Sequence, residues 1–294
     1  AEDGFAVQGR VAFDWQRSLP LLSSTGEARA LLLAGGRAPR EGDIFRMPAL
    51  AGTMRAIATH GSGAFYRGAV AEKLVAFLKS RGGTHELADF ADYEANWVAP
   101  VSASYRGMDV HEMPPSGQGI AALLLLNILS GFDLASLASS SAARYHLEIE
   151  ATRLAFQVRD HHVADPAFAR IPLEELLSKP FAKSLRDRIH PDRAMTAEEA
   201  MVPPIGDTVL VVAVDRDRNV CALINSLFYS FGSGLVCPST GVIFQNRGCG
   251  FSLRPGHPNA IAPRKRALNT IIPAIASRGD RPLHAFGVIG ADEF

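Results

Sequence analysis

A threonine hydroxyl beside its own free α-amine is a nucleophile with a built-in base, and one stretch of this 294-residue chain could supply that pair. It is Gly206-Asp207-Thr208, which opens the run VLVVAVD ending at Asp215. Val209, Leu210, Val211, Val212 and Val214 are apolar and mostly β-branched, the composition of a strand buried on both faces. Pro203-Pro204-Ile205-Gly206, just ahead, suits neither a helix nor a central strand. Two readings are open from these residues alone. In one, Thr208 is an ordinary strand residue, because threonine favours strands. In the other, the chain is cut between Asp207 and Thr208. The freed amine, which titrates near about 7.7–8.0 in model peptides, then takes the hydroxyl proton near neutral pH.

Other reactive groupings have simpler explanations. His161-His162 with Asp165 read as polar residues at a helix end rather than metal ligands. Glu148, Glu150 and Arg153 fit a solvated, salt-bridged helix face. Arg264-Lys265-Arg266 is too small a cluster to mark an anionic partner. Gly232-Ser233-Gly234 and Gly290-Ala291 read as turns. For Gly290 and Ala291 a second reading is open, backbone N–H groups left to face an oxyanion. No GxGxxG, P-loop, HExxH or GxSxG pattern occurs to anchor nucleotide binding, zinc proteolysis or serine hydrolysis.

The elements that must position Thr208 follow from the pattern around it. Asp215 to Asn219 (DRDRN) is a polar turn and Val220 to Phe228 a second apolar strand, so a hairpin is predicted. Upstream the periodicity is helical: Met47 to Thr59 opening at Pro48, Tyr66 to Arg81 stopped by Gly82-Gly83, and a short helix from Thr84 through about Tyr93. Ile120 to Leu129 predicts a helix buried all round. Ser140 to His161 is the longest helix, with Leu147, Ile149, Ala151, Leu154 and Ala155 inward, and 173–177 and 180–189 are shorter ones. Strands are predicted at 101–105 and 108–111, and again at 241–245 and 283–288, while residues 1–45 hold short elements and loops. Helices followed by strands predict an α+β fold with a boundary near 200.

Composition narrows the function classes. Thirty basic and thirty acidic residues cancel, leaving no electrostatic footprint for nucleic acid or an anionic membrane. Cys221, Cys237 and Cys249 lack CxxC spacing, so neither a disulfide framework nor a zinc site is expected, and the compartment, left open, leans to the cytoplasm. The start AEDGFAVQGR lacks a basic n-region and apolar h-region, and the longest apolar run is too short to span a bilayer, so a soluble domain is expected.

Ordered blocks along the whole chain carry a resemblance. They include FRMPALAGTMRAIATHGSGAFYRG (45–68), YRGMDVHEMPPSGQGIAALLLLNILSGFDL (105–134), GDTVLVVAVDRDRNVCALINSLFYSFGSG (206–234), GVIFQNRGCGFSLRPGHPNAIAPRKRALNTIIPA (241–274) and FGVIGAD (286–292). The sequence resembles the γ-glutamyltranspeptidase family, and within it the γ-glutamyltransferase-like branch. The resemblance implies a four-layer αββα N-terminal-nucleophile hydrolase fold, incomplete at both ends because family members begin before Ala1 and continue past Phe294. It implies a chain that cuts itself, with 1–207 belonging to a large subunit and 208–294 to a small one that stay associated as a heterodimer.

Carried over residue by residue, Thr208 matches the nucleophile and Asp207–Thr208 the bond that breaks. Ser226 falls where a second hydroxyl supports the nucleophile, and Gly290 and Ala291 fall on the oxyanion hole. Asn269 and Thr270 stand where a Ser-Ser pair grips the substrate carboxylate. The activity implied is hydrolysis or transfer of a γ-glutamyl group from amides such as glutathione, to water or an amine, with no cofactor. Phe228 and Gly250 depart from the family's Asn and Asp, and Val209-Leu210 from its Thr-His. These departures bear on the acyl group rather than on acyl transfer. They open two alternatives: the same machinery as an acylase of the cephalosporin-acylase kind, or a non-catalytic relative.

Overall fold

The computed structural model describes residues 1–196 and 206–288. These fall into two compact units, Ala1–Trp97 with Tyr229–Asn246, and Val98–Phe228 with Arg247 onward.

In the first unit the longer helices are Gly9–Arg17 (α1), Gly26–Leu32 (α2), Pro48–His60 (α3) and Ala69–Ser80 (α4). Pro48 opens α3 and Gly61, at φ 69°, ends it, as their conformational preferences dictate. One core gathers Trp15, Leu22, Leu32 and Val236, another Val70, Leu74 and Cys237. The strand expected at 241–245 is not formed. The segment bonds irregularly to 233–237 instead, through Ser233 N–H to Phe244 O, Phe244 N–H to Leu235 O and Cys237 N–H to Val242 O, with a single bridge at Val236 and Ile243. Gly241, at φ 70°, bends it out of extended geometry.

The second unit holds Val101–Tyr105 (β1), Met108–Glu112 (β2), Gly119–Leu129 (α5), Ala142–His162 (α6), Lys179–Arg186 (α7), Gly206–Val214 (β3), Val220–Tyr229 (β4), Ile272–Arg278 (β5) and Arg281–Val288 (β6). Strands β1, β2, β5 and β6 form one antiparallel sheet in that order. Strand β5 escapes the sequence reading because Pro273 argues against a strand. The proline is tolerated because β5 pairs with β2 only from Ile275 to Ser277, so at Pro273 a single neighbour, β6, lies alongside. Ala274 and Ala276 of β5, with Ala103 and Val110, pack against Leu123 of α5, which sets the helical layer on that face. On the opposite face, any side chain at Gly287 of β6 would strike Leu210 of β3 and Ile224 of β4. Helices, four-stranded sheet and the β3–β4 hairpin are therefore three successive layers of this unit.

Two expectations about burial are corrected. Only one face of β3 packs, and only toward its Thr208 end: Val209 and Val211 on the other face are 57% and 51% exposed, and Val212 and Val214, beyond Leu210 on the packed face, are 42% and 61% exposed, because nothing among the described residues covers them. On α6, Ala151, Leu154 and Ala155 are inward as expected, but Ile149 is exposed and Glu150 is only 1% exposed. Glu150 is fixed by Arg153 at 2.8 Å and by the Met195 N–H at 2.8 Å, so the segment after α7 covers what the charge pattern marked as a solvated face.

Glu112 at the end of β2 is another buried carboxylate, 2% exposed, with its carboxyl against the Gly119 backbone that starts α5. Burial pushes its pKa up to about 8, against a hydrogen bond from the Met113 N–H. Between the ordinary carboxylate range and pH 8 the unfolded chain has released a proton that the folded chain retains, so stability falls as pH rises through that window. Unfolding free energies from denaturant titrations between pH 5 and 8 should decline for the wild type by about a few kcal/mol in total, at no more than about 1.4 kcal/mol per pH unit. The Glu112→Gln curve should be flatter, whatever its absolute stability; an equal slope in both proteins would refute the buried-proton account.

Candidate active site

The hairpin turn sets the register. Asp215 Oδ1 accepts from the N–H groups of Asp217 and Asn219, Asp215 Oδ2 from Asn219 Nδ2, and the Asp215 N–H reaches Asn219 O. These bonds hold the Asp215 carboxyl below its ordinary pKa. Seven residues back from Asp215 is Thr208, and seven on from Asn219 is Ser226. The structure brings the two together: Thr208 Oγ1 donates to Ser226 Oγ at 2.9 Å. Ser226 Oγ also accepts from the Phe228 N–H at 2.9 Å, which closes a tight turn at the strand end with Phe228 at φ 80°. A bulky side chain at positive φ costs on the order of 1–3 kcal/mol, so the fold holds Phe228 there against its preference.

From Phe228 the contacts run on to residues the sequence reading had not singled out. Arg247, at the start of the 3-10 turn Arg247–Gly250, lays its guanidinium over the Phe228 ring, 5.0 Å from the centroid. Its Nη1 donates to Thr270 Oγ1 at 3.2 Å. Burial lowers its proton affinity, with the Cys249 thiol acting weakly the other way. Thr270 is itself buried, and its carbonyl accepts from Gln118 Nε2 at 2.8 Å. Gln118 Oε1 in turn accepts from Arg159 Nη1 at 2.7 Å, on the inward side of α6. Arg247 had a signal in the sequence: it is the sole charged residue between Arg218 and Arg254. A charge isolated in an apolar stretch has a reason to be there. Gln118 and Arg159 carried no such mark.

Asn269 joins the same region through its backbone, bonding Ser116 O and accepting from the Gln118 N–H. Its side chain is turned to the Ile271 N–H at 3.4 Å, whereas Thr270 presents its hydroxyl to Arg247. Of the expected carboxylate-gripping pair, then, Thr270 is the one joined to Arg247. Gly290 and Ala291 lie outside the described residues. Asp165 serves as a clamp, accepting from the N–H groups of Ala167 and Arg266. A cavity of about 440 Å³ lies against β5, lined by His111, Glu112, Ile275, Ser277 and Asp280 among others, and includes none of Thr208, Ser226 or Arg247.

With this geometry in hand, three comparisons place the chain among known proteins. The family model described as gamma-glutamyltranspeptidase matches residues 1–294. The chain is 37% identical over 293 residues to the glutathione hydrolase-like YwrD proenzyme of Bacillus subtilis (strain 168), covering 99% of this chain and 55% of that protein. It is 34% identical to the oxamate amidohydrolase proenzyme of Klebsiella pneumoniae, covering 99% of this chain and 54% of the relative. The structure superposes on a cephalosporin acylase from Bacillus halodurans with a TM-score of 0.87 and 36% identity, covering 96% of this chain and 52% of that one. The fold is thus the α+β fold of the N-terminal-nucleophile hydrolases. The chain spans about half the length of the curated relatives it matches.

The polar link behind the site is testable by itself. Gln118→Leu removes the acceptor of the buried Arg159 guanidinium and the donor to the Thr270 carbonyl in one step. Arg159 keeps Asp160 and the Phe156 ring. The expected loss is about 2–4 kcal/mol of unfolding free energy, read as a lower denaturant midpoint at unchanged m. An unchanged midpoint would mean that the network does not hold the site.

Proposed function

The chain belongs to the gamma-glutamyltranspeptidase family, and from that premise we propose that it carries the processing bond and nucleophile of a self-cleaving threonine amidohydrolase or acyltransferase. The observation that carries the reading is the 2.9 Å contact of Thr208 Oγ1 with Ser226 Oγ across the hairpin. In the uncut chain, Thr208 Oγ attacks the Asp207 carbonyl carbon, the Asp207–Thr208 amide becomes an ester, and water opens it. Residues 1–207 and 208–294 then belong to two polypeptides that remain associated. The freed α-amine takes the Thr208 hydroxyl proton as Oγ adds to a substrate amide. The leaving amine is protonated as the tetrahedral intermediate collapses, and water or a second amine resolves the acyl ester. Once the chain is cut, hydroxyl and amine suffice for the steps on the substrate. Gly290 and Ala291 are proposed to present their N–H groups to the oxyanion, and Thr270, with Asn269, to bind substrate.

The acyl group has two readings. A γ-glutamyl amide such as glutathione follows from the family. An acylase acting on a different acyl group is favoured by the Phe228 ring, an apolar surface at the strand end beside Ser226. Relatives of similar identity are named for glutathione, oxamate and cephalosporin substrates, which supports a common amide-cleaving machinery and leaves the acyl group to local residues.

Intact mass of the full-length protein tests the junction. Two polypeptides splitting between Asp207 and Thr208 are expected, and one unbroken chain for Thr208→Ala. A single chain in both would leave Thr208 without its amine and end the catalytic reading. Ser226→Ala should slow processing and lower kcat by about 10- to 100-fold, with Ser226→Thr close to wild type. Equal rates for the alanine variant would remove Ser226 from the mechanism. Comparing γ-glutamyl with simple acyl p-nitroanilides separates the two acyl readings.

A further inference from the structure

We propose that Glu112 is a positioning residue for Asn269 and Thr270: as a neutral acid it keeps the loop 113–118 against that pair, and on ionising it releases the loop and weakens substrate binding. The proposal rests on the reading that Asn269 and Thr270 bind the substrate of Thr208. The loop has fixed ends, Glu112 in β2 and Gly119 in α5, and its middle is stitched to the pair. Ser116 O accepts from the Asn269 N–H and the Gln118 N–H donates to Asn269 O, both at 2.9 Å, with a parallel bridge between Gly117 and Asn269. Gln118 Nε2 donates to Thr270 O at 2.8 Å. Both residues of the pair are thus held through their backbones by a loop that begins at a buried carboxyl.

That carboxyl lies on the helix side of the sheet. Val110, two residues back on β2, packs against Leu123 of α5, and alternation along the strand turns Glu112 the same way. There it meets the backbone where α5 begins: a Cβ built at Gly119 would stand 2.7 Å from Glu112 Oε2. Among the described residues no group bonds that oxygen. A neutral acid tolerates such a place better than a carboxylate, since an ion stripped of water without a paired charge carries the larger penalty. Burial accordingly raises the Glu112 pKa to about 8, opposed by the Met113 N–H.

The elements packed on this face bring no charge to offset ionisation. Strand β1 presents Val101 and Ala103, β5 Ala274 and Ala276, and α5 Leu123, none of which titrates. Asp109 and His111 point to the opposite face, where they bond Ser104 and Ser277. Arg159 of α6 reaches the loop, but at Gln118 Oε1. The N-terminus of α5 favours an anion, though by less than the cost of removing a carboxylate from water. Once ionised, Glu112 is stabilised by reaching water. It does so only if the loop between β2 and α5 shifts, which breaks the bonds to Asn269 and Thr270. Substrate then binds the protonated form alone, so ionisation raises KM and leaves kcat of the bound complex unchanged.

The test compares the full-length, processed protein with its Glu112→Gln variant at pH 7 and pH 9. Between those values the ionised fraction of Glu112 rises from about a tenth to about nine tenths. Amide hydrogen exchange, corrected for the intrinsic effect of pH, should show 113–118 and 268–271 about tenfold less protected at pH 9 in the wild type, with α6 still protected. The variant should show no such change. With γ-glutamyl p-nitroanilide, the ratio of wild-type to variant KM should rise about tenfold over the same interval, while the kcat ratio stays flat within about twofold. Dividing by the variant cancels the titration of the Thr208 amine and of the substrate ammonium. Equal loop protection at both pH values in the wild type, the same loss in the variant, or a KM ratio independent of pH overturns the proposal. Should Glu112→Gln not fold, Gly119→Ala replaces it, because its methyl presses on the carboxyl. Its loop should exchange at pH 7 as the wild type does at pH 9, and wild-type protection there would refute the coupling. Exchange needs no turnover, so the two readings fail separately. A pH-dependent loop in an unprocessed, inactive protein removes Thr208 as nucleophile and leaves the Glu112 coupling, whereas a processed, active protein whose loop ignores pH removes the coupling alone.

Discussion

Side chains along a strand alternate between faces, so a hairpin in register puts Thr208 and Ser226 on one side of the ribbon, and a slip of one residue would turn one of them away. That register is fixed at the far end, where the Asp215 carboxyl gathers two backbone N–H groups and the Asn219 amide into a closed turn. The turn is exposed and contributes little burial. Its importance is geometric, because seven residues of paired backbone carry its register to the hydroxyl pair. Leu210 and Ile224, on the same side, seat the ribbon against Gly287, where the absence of a side chain lets the two layers approach.

The far end of β4 is governed by a different balance. Phe228 sits at φ 80°, a conformation a phenylalanine adopts only when its surroundings impose it. Its N–H on Ser226 Oγ and its buried ring beneath Arg247 help to hold it. The bend thus joins the hydroxyl pair to a half-buried charge. Behind that charge, Thr270, Gln118 and Arg159 form a line of hydrogen bonds reaching the core side of α6. Buried polar groups are costly unless each finds a partner, and here the partners come from three separated stretches of sequence.

Legibility in the sequence followed the range of the interaction concerned. Helices α3 to α7 were legible because capping and periodicity are local: Pro48 and Gly61 bound one helix, and Ser141 and Ser178 cap two others. The hairpin was legible because its turn residues are contiguous. Strand β5 was not, since Pro273 is acceptable only where one neighbouring strand is missing, and that depends on where β2 ends. Glu150 reads as a surface charge by spacing and is buried because a segment about 45 residues later crosses over it.

Of the site itself, the sequence by itself determined the nucleophile candidate, its hydroxyl partner and the family, because those reside in residue identity and in contiguous blocks. Only the tertiary structure decided that Thr208 and Ser226 meet, that Thr270 rather than Asn269 turns its side chain to a guanidinium, and that Arg247 is stacked and half-buried. The physical reason is that each of these is a contact between residues distant in sequence. Contacts of that kind carry no local periodicity and exist only once strand register and layer packing are fixed.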